Sequence, residues 1–182
     1  MKKYFLQYKP FFLFLLKFLG SYVVLILIYD FYLKTFDGTK NEIDSFTILV
    51  ANQAQIVLKI FNFQVISAPS PTDASVVYYV LGKPFVRIVE GCNAMSVMIL
   101  FVAFVLAFSG RLWKTIVFLA LGVLTIYVLN VMRIALLTMG LFYYPEMKTA
   151  LHDIMFPLFI YGVVFGLWVL WVNKFSNYAK SF

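Results

Sequence analysis

The sequence predicts an all-α integral membrane protein with about four transmembrane helices, one interfacial helix and a small extracytoplasmic β-hairpin. Three observations carry that expectation. The 182 residues are 63% hydrophobic and only 13% charged, about half the charged fraction of a soluble domain. Four apolar runs each approach the roughly 20 residues that a ~30 Å hydrocarbon core requires. Basic residues gather in alternate connecting segments, as the positive-inside rule demands.

The first run, Phe11–Tyr32, follows Lys2, Lys3 and Lys9 and so looks like a signal peptide. It is too long for a typical apolar signal region and lacks a small-x-small cleavage pattern, so residues 1–33 are expected to form an uncleaved signal anchor. An extracytoplasmic loop follows over 34–91, beginning with the turn-rich Asp37-Gly38-Thr39-Lys40-Asn41-Glu42. Phe46–Phe61 contains Asn52, Gln53, Gln55 and Lys59, a mixture that suits an amphipathic helix at the membrane surface better than a span. After the breaker cluster Ser67-Ala68-Pro69-Ser70-Pro71, two β-branched and aromatic runs, Ser75–Leu81 and Phe85–Val89, flank Gly82-Lys83-Pro84. That pattern predicts a β-hairpin. Spans at Asn93–Ser109, Thr115–Met132 and Ile154–Val172 complete a three-helix core over 92–173, and 174–182 forms a tail. The whole chain reads as a single membrane domain.

Orientation follows from the charges. With a cytoplasmic N-terminus, the inner segments hold Lys2, Lys3, Lys9, Arg111, Lys114, Lys174 and Lys180 but no acid, and all eight acids fall outside. The reverse arrangement would expose the basic loop Gly110–Lys114 on the wrong side. Both termini are therefore expected in the cytoplasm. The net charge of +7 is scattered among apolar runs, which argues against nucleic acid as a partner. One cysteine allows no intrachain disulfide, and metal-ligand spacings are missing, so neither metal nor cofactor is expected.

Depth brings three residues together. Lys114 to Arg133 spans about 28 Å of helix, Cys92 to Gly110 about 27 Å, and His152 to Asn173 about 31 Å. Each helix thus leaves the inner surface at a basic or polar residue and presents a thiol, a guanidinium or an imidazole at the outer boundary. Taken singly, each residue has a plainer reading: Cys92 as a small buried hydrophobe, Arg133 as a snorkelling cation, His152 as a surface or capping residue. Local context favours more. Asn93 is a good helix cap, and Gly91 permits close backbone approach or an unusual φ. Apolar residues continue past Arg133 to Met139, which turns that charge toward the bundle interior. Asn130, one turn below, can share its hydrogen bonds. His152 is able to act as a base near neutral pH. Its neighbour Asp153 is expected to point elsewhere, and Arg87 and Glu90 to be solvated charges of the hairpin. Thiol plus imidazole is the nucleophile–base combination of acyl transfer, and a guanidinium stabilises a thiolate or an oxyanion. The G-x-S-x-G, H-E-x-x-H and paired-aspartate signatures of other hydrolases do not occur.

Glu90-Gly91-Cys92-Asn93-Ala94 opening a span, Asn130-x-x-Arg133 in the next and a lone His152 before the last resemble the exosortase/archaeosortase family of membrane cysteine transpeptidases. The resemblance covers about Val76 to Leu170, and the short length is similar to the small F-type subgroup. Many members carry Ser-Gly after the cysteine and about eight spans; here the residues are Asn93-Ala94 on a reduced core. The resemblance implies a bacterial cytoplasmic membrane location with the site facing outward. It implies secreted substrates that end in a short motif, a transmembrane helix and a basic tail. It further implies attack by Cys92 with a thioester intermediate, proton transfer by His152, stabilisation by Arg133, and release to an envelope glycolipid or to water. The alternative is a non-catalytic assembly factor or subunit of an export or polysaccharide system, in which the three residues form a structural polar cluster. A transporter would call for inverted repeats or broken spans, which the sequence lacks.

Overall fold

Pro10 in the first turn starts helix α1, Lys9–Leu33, where its missing N–H costs nothing. The computed structural model describes residues 8–37, 40–108 and 110–175. The basic N-terminal pair Lys2-Lys3, part of the 37–42 turn, Ser109 and the tail beyond 175 lie outside the described residues. Helix α2, Ser45–Ile60, is capped by the buried Asp44, whose carboxylate accepts the Thr47 N–H at 2.9 Å. Three helical stretches are long and apolar enough to cross a membrane: Phe11–Leu33, Leu112–Tyr143 and Ala150–Phe175. The chain is thus a multi-pass membrane protein with a small sheet.

The remaining apolar run makes a shorter helix than its hydropathy predicts. Helix α3 covers Met95–Ala107 only, about 20 Å. Ala94 sits in the left-handed region at φ +61°, and Phe108 is extended, so neither end of the 93–109 run continues the helix. Helix α4, Leu112–Tyr143, runs eleven residues past the expected end at Met132. No proline interrupts it, and Val131, Ile134 and Ala135 keep its buried face packed on α2 and the sheet. The last helical stretch opens with a π turn, Ala150–Met155, continues as α5, Phe156–Leu170, and ends in a second π turn, Trp171–Phe175.

The hairpin is part of a three-stranded antiparallel sheet ordered β1 (Ile66–Pro69), β2 (Val76–Val80), β3 (Lys83–Ile88). Strand β1 occupies the segment that reads as a breaker cluster. It is tolerated because Pro69 ends an edge strand, where no ladder donor is lost. The turn also lies earlier than expected. Leu81 and Gly82 both have positive φ, 51° and 77°, as in the two-residue primed turns that match strand twist. The buried Tyr78 hydroxyl donates to the Ala51 carbonyl and fixes the sheet on α2.

Two apolar clusters follow. At the sheet end, Val50, Ala54 and Leu58 of α2 pack with Tyr78, Val80 and the Val131–Ala135 face of α4. The apolar stripe of α2 is therefore buried in protein. Farther along the bundle, Phe101 and Val105 of α3 meet Phe118 and Ile126 of α4, with Val164 and Trp171. Helix α1 lies along α3, joined by Phe14–Phe104 edge contact. Gly122 makes the α3–α4 approach possible, because a Cβ there would stand 2.2 Å from the Phe101 ring.

Two stability measurements in detergent check this packing. Gly122→Ala should destabilise by about 1–3 kcal/mol through overpacking. Leu81→Asn should raise stability by about 1 kcal/mol, because asparagine adopts positive φ at lower cost in a primed turn.

Candidate active site

Cys92 closes a 3₁₀ turn, Glu90–Cys92, that follows directly on β3 and Val89. Its N–H bonds the Val89 carbonyl at 2.8 Å. Its own carbonyl accepts a 2.8 Å bond from Nδ2 of Asn130, a fully buried residue of α4. A buried amide is costly unless bonded, so Asn130 secures the Cys92 backbone against α4. This differs from sharing hydrogen bonds with Arg133, the expectation from spacing alone.

Asn93 ties the same segment to three helices. Its Oδ1 accepts the Met95 N–H at 2.8 Å and starts α3. Its Nδ2 donates to Thr47 Oγ1 of α2 at 3.1 Å and to the Tyr29 hydroxyl of α1 at 3.3 Å. The Tyr29 hydroxyl in turn donates to Glu90 at 2.5 Å. Glu90 is therefore a tethered, half-buried carboxylate, not the solvated charge of the sequence reading. Gly91 also departs from expectation: its φ is not positive and nothing lies within 4 Å of a Cβ built on it. The left-handed residue is Ala94, three positions on.

A cavity of about 350 Å³ opens beside Cys92. Cys92, Arg133 and His152 all line it, with Phe85–Ile88 of β3, Lys148, and Ile134, Leu137 and Leu141 of α4. The chain's one cysteine and one histidine thus share a cavity with the arginine of α4. The Arg133 Nε is buried and without a hydrogen-bond partner among the described residues. His152 Nδ1 stands 2.6 Å from Asp153 Oδ1. With Asp153 accepting from Nδ1–H, the free lone pair falls on Nε2. In a regular α-helix adjacent side chains diverge by about 100°; here the two meet within the π turn at 150–155. That departure from α geometry leaves no mark in the sequence.

The lining includes three cations, Arg87, Arg133 and Lys148, and no acid. Such a cavity favours negative charge developing within it. Arg87 pairs with Asp73 at 2.5 Å. The Ser70 and Ser75 hydroxyls and Arg87 hold the Asp73 carboxyl below the ordinary carboxylate range. Lys148 was not singled out by spacing, since an exposed cation has no sequence mark of its own.

Three outcomes test this geometry. Asn130→Asp, which removes the donor, should destabilise the fold by about 1–3 kcal/mol. Gly91→Ala should leave thermal stability within about 0.5 kcal/mol of the parent, as for other surface changes. A carboxyl whose pKa is lowered on folding keeps its stabilising charge above the unfolded pKa, about 3.9. Titration followed by NMR should therefore show the Asp73–Arg87 pair intact at pH 4 and released only as the pH falls further.

No curated protein and no solved structure among those compared matches the chain. Residues 9–173 match the family described as transmembrane exosortase. The match runs from the start of α1 into the second π turn, with the sheet, the Glu90–Cys92 turn and the cavity lining inside it. Membership supports a membrane transpeptidase-type function. The chain belongs to the transmembrane exosortase family.

Proposed function

We propose that this chain is a cysteine transpeptidase of the F-type exosortase kind. It cleaves the C-terminal sorting signals of secreted proteins at the outer face of the bacterial cytoplasmic membrane. The observation that carries the reading is the one cavity lined by Cys92, Arg133 and His152.

In this mechanism the His152 Nε2 takes the Cys92 thiol proton as sulfur attacks the scissile carbonyl carbon. The carbonyl electrons move to oxygen, and the Arg133 guanidinium stabilises the oxyanion. Collapse of the tetrahedral adduct breaks the C–N bond. The imidazolium returns its proton to the departing amine, which leaves a Cys92 thioester. Water or a nucleophile on an envelope glycolipid then attacks the thioester, with His152 again accepting the proton, and the thiol is restored. Asp153 holds the imidazole tautomer throughout, the orienting role a carboxylate plays beside a catalytic histidine. Asn130 and Asn93 act on the backbone that carries the sulfur. Both termini lie in the cytoplasm, so the substrate's basic tail stays inside while its cleavage point stands level with Cys92.

Coexpression with a secreted protein ending in a motif, a transmembrane helix and a basic tail tests the reading. Cys92→Ala should abolish processing. Arg133→Ala should lower it by about 10²–10³-fold and His152→Ala by about 10²–10⁴-fold, with protein levels unchanged. An impermeant thiol reagent applied from outside should label Cys92. Processing by Cys92→Ala at the parental rate would overturn the mechanism.

A further inference from the structure

Strand β3 is an edge strand. The sheet order leaves its outer side without a strand partner, and among the described residues no backbone hydrogen bond reaches that side. The opposite edge is different. Gln55 of α2 donates to the Val65 carbonyl, just before β1, at 2.8 Å and accepts from the Ser67 hydroxyl at 2.9 Å, so α2 holds the start of β1. In an antiparallel strand alternate residues turn their N–H and C=O groups outward. An open edge of that kind pairs readily with another extended chain.

This edge is also a wall of the cavity. Phe85, Val86, Arg87 and Ile88 line it beside Cys92, and only Val89, Glu90 and Gly91 separate Ile88 from the thiol residue in sequence. Edge strands are usually protected by lysine or proline. Here Lys83 and Pro84 sit at the turn end and the register slips at Phe85, which leaves Val86–Ile88 as the regular open stretch where the strand borders the cavity. Arg87 is paired with Asp73, and the other two cations of the lining, Arg133 and Lys148, suit backbone carbonyls and acidic side chains and repel a basic segment.

We infer that β3 is the substrate-docking edge: an extended, non-basic peptide segment adds to the sheet as a fourth strand and runs into the cavity beside Cys92. The inference rests on the peptidase reading and specifies how its substrate is held. Main-chain pairing supplies the affinity, and alternate side chains of the peptide face the cavity and supply specificity. The pairing also fixes register, because a slip of one residue would turn every side chain to the other face. The scissile bond is then chosen by its distance along the strand from the paired segment.

The test uses the full-length Cys92→Ala chain in lipid nanodiscs, so that binding is read without chemistry. The probes are synthetic peptides covering the segment just before the transmembrane helix of a processed substrate, each with a single N-methylated amide. Methylation at every second position should weaken binding at least about tenfold, the worth of one lost hydrogen bond. Methylation between those positions should leave it unchanged. Equal tolerance at all positions, a loss without alternation, or no binding of the unmethylated peptide would overturn the inference. Failure of the peptidase reading shows elsewhere, as processing of full-length substrate by Cys92→Ala.

Discussion

The hydrogen bond from Asn130 to the Cys92 carbonyl joins the two halves of the site. Arg133 lies on the same helix as Asn130, one turn later. Cys92 lies on a short turn otherwise held by local backbone bonds and by the Tyr29–Glu90 bond. One buried amide therefore ties the Cys92 backbone to the helix that carries Arg133. Asn93 adds a second restraint by holding the next residue to α1, α2 and the start of α3. Without these two asparagines the thiol would hang on a flexible connection between a small sheet and a short helix.

The arrangement divides labour between membrane helices and sheet. Helix α4 is about 48 Å long at 1.5 Å per residue, more than a bilayer core needs. Its final turns stand beside the sheet, where Leu137 and Leu141 form part of the cavity wall. The sheet contributes an ordered edge at that height, and the π turn brings His152 to the same opening. An intramembrane arginine is tolerated on α4 because it faces this cavity instead of lipid, the usual setting for such charges.

Much of this was legible in the sequence, and the losses have physical causes. Hydropathy revealed the long helices, since lipid contact constrains composition over some 20 residues. The β-branched runs revealed β2 and β3 for a similar reason. Strand β1 was hidden because a short edge strand accepts Ser, Ala and Pro. The end of α4 was missed because Arg133 reads as the close of a span, although the face formed by Val131, Ile134 and Ala135 is buried by α2 and the sheet and carries the helix on. In the site, Cys92, Arg133 and His152 were singled out by depth, and the structure brings all three to one cavity. The premise was partly mistaken, since Cys92 lies outside α3 and α4 extends well past Arg133. Asn130 stood out by its place in an apolar run, while its partner was a backbone carbonyl no pattern could name. The His152–Asp153 pair was not expected because neighbours diverge on a regular helix, whereas here they meet in a π turn.

The most direct test of this account measures whether positions 92 and 152 face one another across a single cavity. The chain has one cysteine, so His152→Cys yields a protein with only two thiols. A short bifunctional thiol reagent should link them within one molecule, detected by mass spectrometry of the digested protein. Separate labelling of both thiols with no intramolecular link would contradict the shared site.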